Sequence, residues 1–572
     1  MNLTARLTDL MANAAGRWQM TACGVTRSAS AIPVLLPHTI APPRPNAIRV
    51  LLIGGLSGRP ADVEVALRVV ERYGADAAHH STISLIVLPC GNPDGLALGV
   101  APDNGAGGNP TVGYPPVGNF YHDPHNPEAR YLWRWVTYQA PDLVWEIQAG
   151  ESVRWEASAP LLQQLPHLGI TLQPAPLPPD ASLLAALAGD APDLPAPIPG
   201  LRLTCPGDAV ETASRHLWST LARVGIGQRS AARQVLEDRV ARSPATVAQR
   251  LAATYGHQLD PVVYTQGVAI SGRLRLTTLQ TADPDPVPAL VALVAPYVAG
   301  ARDPFSDQAG GANLAGLVWA DELAAATGDS RYVDLLVSTA DRYTATHANG
   351  VPAPADPDYR VEDMFFTGAM LGRAFQVTGD TRYLSILTRF LLQAQVQQPD
   401  GLFRHARSTP YNWGRGNGFA ALGFAETLTY LPAKHPDRAT LLAMHRRHLD
   451  ALLRYQQPSG LWRQVIDFSG SYEELSATCM IGYALARGLR LGWLDASYQE
   501  SLRRAWQGVA ARIDDNGGLV DVCTGTGAQQ SLRAYLDRPA ISGLDERGGA
   551  LALWFAVELA QREVARNEPA SC

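Results

Sequence analysis

The hydrophobic pattern changes character once along the chain. In the first third, short apolar runs alternate with amphipathic stretches. Residues 48–53 and 83–88 are continuous apolar runs of strand length, and residues 63–73 between them carry a helical period. A further helix is expected over 128–138 and a further strand over 143–147. Strand, helix and strand in that order predict a parallel α/β sheet. Residues 174–199 are dense in proline and alanine and read as an extended surface loop, and amphipathic helix returns over 208–255.

From about residue 261 onward no run of strand length is expected, and two helix patterns alternate. Residues 313–325, 364–376, 419–431, 476–491 and 548–560 are apolar on every side and so must be buried. Residues 331–347, 382–395, 438–455 and 497–513 are striped and charged, as outer helices are. The connections repeat as well. Thr327-Gly328-Asp329-Ser330-Arg331-Tyr332 returns 51 residues later as Thr378-Gly379-Asp380-Thr381-Arg382-Tyr383. Gln397-Gln398-Pro399-Asp400-Gly401-Leu402 returns 59 residues later as Gln456-Gln457-Pro458-Ser459-Gly460-Leu461, and Gly517-Gly518-Leu519 is a weaker third copy. Periods of this size with one inner and one outer helix predict stacked helical hairpins. The stretch holds roughly six of them, enough to close a ring. The predicted architecture is therefore multidomain, an α/β domain followed by an all-α (α/α)6 barrel. An open solenoid is the alternative and would need polar capping helices at both ends. The expected boundaries are 1–205 for the α/β domain, 206–259 for a helical bridge and 260–565 for the barrel.

Composition narrows the functional classes. A chain of 572 residues exceeds one ordinary core, and 46% apolar with 17% charged residues describes a soluble globular protein. A net charge of −6 over this length gives no basic footprint, so no nucleic-acid partner is expected. The six cysteines are scattered without CxxC spacing, which argues against a zinc knuckle or a disulfide framework and points to a reducing compartment, the cytoplasm. No long apolar run or signal peptide is read, so no membrane partner is expected. No GxxxxGK[ST] occurs and no metal or other cofactor is expected. Oligomeric state has no readable signature.

Candidate chemistry gathers on turns that enter the apolar helices. Asn412-Trp413-Gly414-Arg415-Gly416-Asn417-Gly418-Phe419 places an indole and a fixed cation on what reads as a glycine-loosened turn. A guanidinium held there can meet a planar carboxylate through two parallel hydrogen bonds. Asp363 opens the preceding inner helix, and His405 lies in the turn after Gly401-Leu402-Phe403. In a ring of hairpins these turns face a common pocket. One acid, one imidazole, one indole and one guanidinium would then converge.

Two resemblances extend this reading. The Gly54-Gly55 turn after the first strand, Asn92-Pro93-Asp94-Gly95, Asn126-Pro127-Glu128 and Pro141-Asp142-Leu143-Val144 resemble the zinc carboxypeptidase and succinylglutamate desuccinylase superfamily. The positions matching its metal ligands are Ser57, Pro60 and Gln148, which do not form a competent zinc set, so the resemblance implies a scaffold whose metal site is lost. Residues 260–565 resemble the unsaturated glucuronyl and rhamnogalacturonyl hydrolases, glycoside hydrolase families 88 and 105. The resemblance rests on Trp413-Gly414-Arg415-Gly416-Asn417-Gly418-Phe419 and Val361-Glu362-Asp363-Met364-Phe365-Phe366, with support from Gly460 to Asp467, Glu474 to Thr478 and Cys523 to Gly527.

The second resemblance implies an oligosaccharide substrate with a 4,5-unsaturated uronate at its non-reducing end, as polysaccharide lyases leave it. Asp363 would protonate the vinyl ether at C4 and orient the water that adds at C5. The hemiketal then opens and releases the sugar. Arg415 would hold the uronate carboxylate, with His405, Trp413 and Phe419 shaping the pocket. Phe419 stands where the family has tryptophan. The family's second aspartate has two candidate positions, Asp307 and Asn313. Two competing classes remain open: a carbohydrate-binding scaffold without activity, and a sugar epimerase, which would need a pair of opposed histidines.

Overall fold

In a computed structural model the described residues are 1–14, 16–38, 47–118, 120–164, 174–178, 180–191, 193–224, 229–279, 285–305 and 309–567. They form two compact units, 1–238 with 468–472, and 239–467 with 473–572. The stretch expected to bridge the domains is shared out, its first helix going to the first unit and its last to the second. Among the described residues no helix is long and apolar enough to cross a membrane.

The first unit is built on one mixed sheet. Its strands are β1 (Trp18–Val25), β2 (Ala31–Pro37), β3 (Ile48–Ile53), β4 (Ile83–Leu88), β5 (Leu143–Ala149), β6 (Arg154–Ala157), β7 (Ala175–Pro176) and β8 (Gly200–Cys205), in the spatial order β1-β2-β4-β3-β5-β8-β6-β7. The centre, β4-β3-β5-β8, is parallel. Its strands are apolar along almost their whole length because they are covered on both faces. Helix α1 (Pro60–Ala75) makes the crossover from β3 to β4, starting on a proline that suits the first turn. Helices α2 (Pro127–Gln139) and α3 (Val210–Val224) complete the elements used here. The antiparallel flanks, β1-β2 on β4 and β6 on β8, were not expected.

The positions compared with zinc ligands are otherwise engaged. Ser57 donates to Asp62, Pro60 opens α1, and Gln148 Nε2 donates to Thr204 Oγ1 at 2.9 Å. The Asp62 carboxylate also takes Arg59 Nε and Nη2, both at 3.1 Å, and the Ala149 backbone N–H at 2.8 Å. Among the described residues no group of three or more His, Cys, Asp or Glu could hold a metal ion. The residues present do not fit a zinc site.

The second unit is helical. Its elements are α4 (Pro244–Thr254), α5 (Tyr264–Thr277), α6 (Val287–Val298), α7 (Ala320–Thr327), α8 (Arg331–Asp341), α9 (Asp363–Thr378), α10 (Thr381–Ala394), α11 (Gly414–Tyr430), α12 (Arg438–Leu453), α13 (Leu475–Arg490), α14 (Gln499–Ala511) and α15 (Glu546–Asn567). Helix α9 packs on α11, α11 on α13, α13 on α15, and α15 on α5. Helix α5 in turn meets the 311–327 segment, which packs back on α9. Every residue of α11 from Gly414 to Leu428 is buried, as an all-round apolar helix requires. The charged helices α8, α10, α12 and α14 each pack outside one of these.

The sequence repeats have a plain local cause. Gly328 (φ 74°) and Gly379 (φ 71°) end inner helices in the left-handed conformation that glycine adopts freely. The next residue starts the outer helix, Asp329 and Asp380 accepting the backbone N–H of Arg331 and Arg382 at 3.0 and 2.8 Å. In the second repeat, Gln397 and Gln456 each donate to a backbone carbonyl of the next outer helix, Met444 at 3.0 Å and Ser501 at 2.9 Å.

Three expectations are corrected. Residues 414–418 are the first turn of α11 rather than a loose turn, with Trp413 as its N-cap. These glycines are needed for space: a Cβ on Gly414 would strike the Arg463 carbonyl, and one on Gly416 would lie 2.8 Å from Val361 Cγ1. The helix expected over 313–325 is broken into 311–314, a 3-10 turn at 315–317 and α7. Short strands also occur after residue 261, Leu519–Cys523 pairing antiparallel with Ala540–Gly543.

Candidate active site

One end of the ring opens into a cleft of about 860 Å³. Its walls come in part from the starts of inner helices and the turns before them: Tyr264 to Gln266 at α5, Glu362, Asp363 and Phe366 at α9, Trp413, Arg415 and Phe419 at α11 and Asp545 to Arg547 at α15. Helix starts carry unpaired N–H groups and the positive end of the macrodipole, so several of them around one space favour an anionic ligand.

Asp363 is the first residue of α9 and is 6% exposed. Its Oδ2 accepts the Asp356 backbone N–H at 2.8 Å. Burial pushes its carboxyl up to about 8, aided by the charges of Glu362 and Asp356 and opposed by that hydrogen bond and by Arg360. At neutral pH such a carboxyl holds its proton and can donate it. The apolar wall includes Phe366 and Phe419, with ring centroids 5.4 Å apart, and Tyr264 5.5 Å from Phe419.

Arg415 sits in the first turn of α11, 2% exposed, and lines the same cleft. Its Nη1 donates to the Cys523 carbonyl at 2.5 Å and its Nη2 to the Thr524 carbonyl at 2.6 Å. The guanidinium carbon lies 5.1 Å from the centroid of Trp413. The two carbonyls orient the fork, and a planar guanidinium is the group that meets a carboxylate through parallel hydrogen bonds. Trp413 lines the cleft, and its Nε1 is buried without a partner.

The other expected residues divide. His405 is fully buried behind Trp413, ring centroids 4.4 Å apart, and is not among the residues lining the cleft. Its Nδ1 lies 2.5 Å from the Tyr535 hydroxyl and its Nε2 3.2 Å from Glu362 Oε1. Asn313 donates to the Val262 carbonyl at 2.9 Å and fixes the turn before α5 instead of facing the cleft. Asp307 lies outside the described residues.

Sequence reasoning missed much of the charge here. Glu362 lines the cleft next to Asp363, and two ion pairs stand on its walls, Arg360 with Asp356 at 2.8 Å and Arg547 with Asp545 at 2.6 Å. Glu362 was readable as the acid directly before Asp363 in Val361-Glu362-Asp363.

Residues 406–563 match the model of Glycosyl Hydrolase Family 88. Through these residues the chain belongs to that family. The family 88 region carries Trp413, Arg415, Phe419 and the Asp545–Arg547 wall, while Glu362 and Asp363 precede it. The chain is 30% identical over 147 residues to the unsaturated rhamnogalacturonyl hydrolase YesR of Bacillus subtilis, covering 26% of this chain and 41% of that protein. The match thus spans about two fifths of that relative's length. It is 32% identical over 173 residues to protein Atu3128 of Agrobacterium fabrum, covering 26% of this chain and 73% of that one. A solved structure of a glycoside hydrolase from family 105 of C. acetobutylicum ATCC 824 aligns at 20% identity and TM-score 0.49, over 56% of this chain and all of that one.

Proposed function

We propose that this protein is a hydrolase that releases a 4,5-unsaturated uronic acid from the non-reducing end of lyase-generated oligosaccharides, and that its helical unit is an (α/α)6 barrel. The observation that carries the reading is that one cleft is lined by both a carboxyl with a raised pKa and an oriented guanidinium. Asp363 holds its proton to about pH 8, and Arg415 is fixed by two carbonyls. Asp363 is then the general acid that protonates C4 of the vinyl ether. Arg415 holds the uronate carboxylate at C5, where water adds. A vinyl ether needs a proton on carbon as its slow step, so a carboxyl with a raised pKa is the group the reaction requires. The cleft, about 860 Å³, is of the size that takes a small oligosaccharide's terminal units.

Membership in family 88 supports the reaction class, and the name of the Bacillus subtilis relative supports the substrate class. A reducing compartment, the cytoplasm, is the proposed location, supported by the scattered spacing of the six cysteines and by the buried thiols Cys90, Cys205, Cys479 and Cys523. We read the first unit as a peptidase-like scaffold without a metal, since Asp62 is already engaged by Ser57, Arg59 and Ala149.

The test is the ultraviolet absorbance of the conjugated double bond in lyase-generated pectic, glycosaminoglycan and ulvan-type disaccharides. Steady loss with at least one of them, abolished by Asp363→Asn, supports the reading. Unchanged absorbance with all three, together with saturable binding, would favour a carbohydrate-binding protein without activity.

A further inference from the structure

Three consecutive residues of the 345–357 segment brace the start of α9. The Pro354 carbonyl accepts the Gly311 backbone N–H at 2.8 Å, the Ala355 carbonyl lies 3.0 Å from His347 Nε2, and the Asp356 N–H donates to Asp363 Oδ2 at 2.8 Å. The last two groups belong to one peptide unit, so His347 and Asp363 sit at opposite ends of the same amide. We propose that His347 is a positioning residue for Asp363, acting through the peptide group that joins Ala355 to Asp356. The proposal rests on the vinyl-ether reading above, in which Asp363 is the acid.

A carbonyl only accepts, so His347 carries a proton on Nε2, and the ring keeps this bond whether neutral or charged. A donor on an amide oxygen draws electron density from the nitrogen and makes the N–H a better donor in turn. Asp363 Oδ2 is the acceptor of that N–H. With Oδ2 engaged, the carboxyl carries its proton on Oδ1. That oxygen lies against Gly311, which lines the cleft and where a Cβ would come within 3.0 Å of it. The amide thus selects which oxygen holds the proton, and His347 holds the amide.

The segment that carries His347 is itself fixed. His347 N–H donates to the Val351 carbonyl and Ala353 N–H to the Ala345 carbonyl, both at 2.8 Å, and Asn349 Nδ2 donates to the Pro357 carbonyl at 2.9 Å. The Asp356 carboxylate is turned away to Arg360 at 2.8 Å, which leaves its backbone N–H for Asp363. The charged or titratable groups facing Asp363 are Glu362 and Arg360 on its own segment, Asp356, and Tyr343 from the turn after α8. The Asp356 N–H favours the charged carboxylate, so weakening it lets the carboxyl hold its proton to higher pH. His347 is half-buried and lines the cleft as well, which makes contact with the substrate the competing role.

The test compares His347→Phe, which keeps a ring and removes the donor, with His347→Gln, whose side-chain N–H reaches about as far as imidazole Nε2. Neither variant has an imidazole to titrate. Rates are read in the full chain as absorbance loss on a disaccharide that the wild type turns over. His347→Phe is expected to lower kcat by about tenfold with KM within about threefold. Its alkaline limb of kcat/KM against pH should move up by roughly half a pH unit or more. His347→Gln should return the limb to its wild-type position and restore most of kcat. Should His347→Phe not fold, His347→Ala must show the same displaced limb. A limb unmoved in the variant without a donor, or moved equally in His347→Gln, overturns the proposal. So does a rise in KM alone, which would mark a substrate contact. A wild type that turns over none of the disaccharides overturns the vinyl-ether reading instead. The link is then read from melting temperature against pH, where the fall of stability that Asp363 imposes must extend to higher pH in His347→Phe than in His347→Gln. Curves of the same shape overturn it.

Discussion

Asp363 Oδ2 accepts the backbone N–H of Asp356 at 2.8 Å, seven residues earlier in the chain. That single donor fixes the carboxyl against the turn before α9 and is too weak to offset burial, so the group still titrates near 8. An acid held in one orientation and still protonated at neutral pH is a donor ready for use. Replacing it by asparagine keeps the shape and the acceptor oxygen but removes the proton. Asp363→Asn is expected to lower kcat by about 10²- to 10⁴-fold, read from the absorbance of the unsaturated uronyl group.

The raised pKa of Asp363 also has a consequence for stability. It lies above the ordinary carboxyl value, so between about pH 4 and pH 8 the folded state binds the proton that the unfolded chain has released. Stability therefore falls as pH rises through that window, by at most about 1.4 kcal/mol per pH unit. Asp363→Asn removes the effect. Its melting temperature should match wild type near pH 4 and exceed it by a growing margin toward pH 8, measured by thermal denaturation at each pH.

Wild-type turnover should likewise fall as pH rises above about 8, where Asp363 loses its proton. The alkaline limb of kcat/KM against pH should lie there and be insensitive to the choice of sugar following the uronate.

Arg415 presents its fork with two carbonyls as guides, Cys523 and Thr524. Lysine keeps the charge and loses the planar pair of donors. Arg415→Lys should raise KM for the unsaturated disaccharide by about 10- to 100-fold, equivalent to about 1.4–2.7 kcal/mol, with a smaller effect on kcat. Initial rates over a range of substrate concentrations separate the two.

Toward the other ends of α9 and α11, Arg373 Nη1 meets Glu426 at 2.7 Å, both side chains being 0% exposed. Burial alone would raise the Glu426 carboxyl, but Arg373, Arg275 and Arg487 outweigh it and hold it down at about 2. Removing one partner leaves the other's charge buried. Arg373→Met should destabilise the helical unit by about 3–5 kcal/mol in denaturant unfolding, while combining Arg373→Met with Glu426→Gln should recover part of the loss.

What could be read from the sequence follows from how local the cause is. Strands β3 and β4 and helices α9, α13 and α15 were visible because buried segments are apolar on every side, and the Thr-Gly-Asp repeats because one glycine and one aspartate end and restart a helix in place. The β1-β2 hairpin was obscured by the mixed polar residues of β1 and the prolines of β2, which break the alternation that marks a strand. In the site, Asp363 and Arg415 could be singled out because each opens an inner helix. His405 could not be placed behind rather than on the cleft wall, since that depends on Trp413 lying between, a contact set by packing. Asn313 was misjudged for the same reason: spacing put it near the site, and its hydrogen bond to Val262 turns it to a structural task.

The most direct test of the chemistry is isotopic. Turnover of an unsaturated disaccharide in deuterium oxide enriched in heavy oxygen, with the products examined at early times by nuclear magnetic resonance and mass spectrometry, reports which carbon receives the proton and which the solvent oxygen. Proton delivery by Asp363 to a vinyl ether predicts one deuterium at C4 of the released uronic acid and oxygen from solvent at C5. Release of the sugar with no deuterium at C4 and solvent oxygen at C1 would show ordinary glycosidic cleavage and contradict the account.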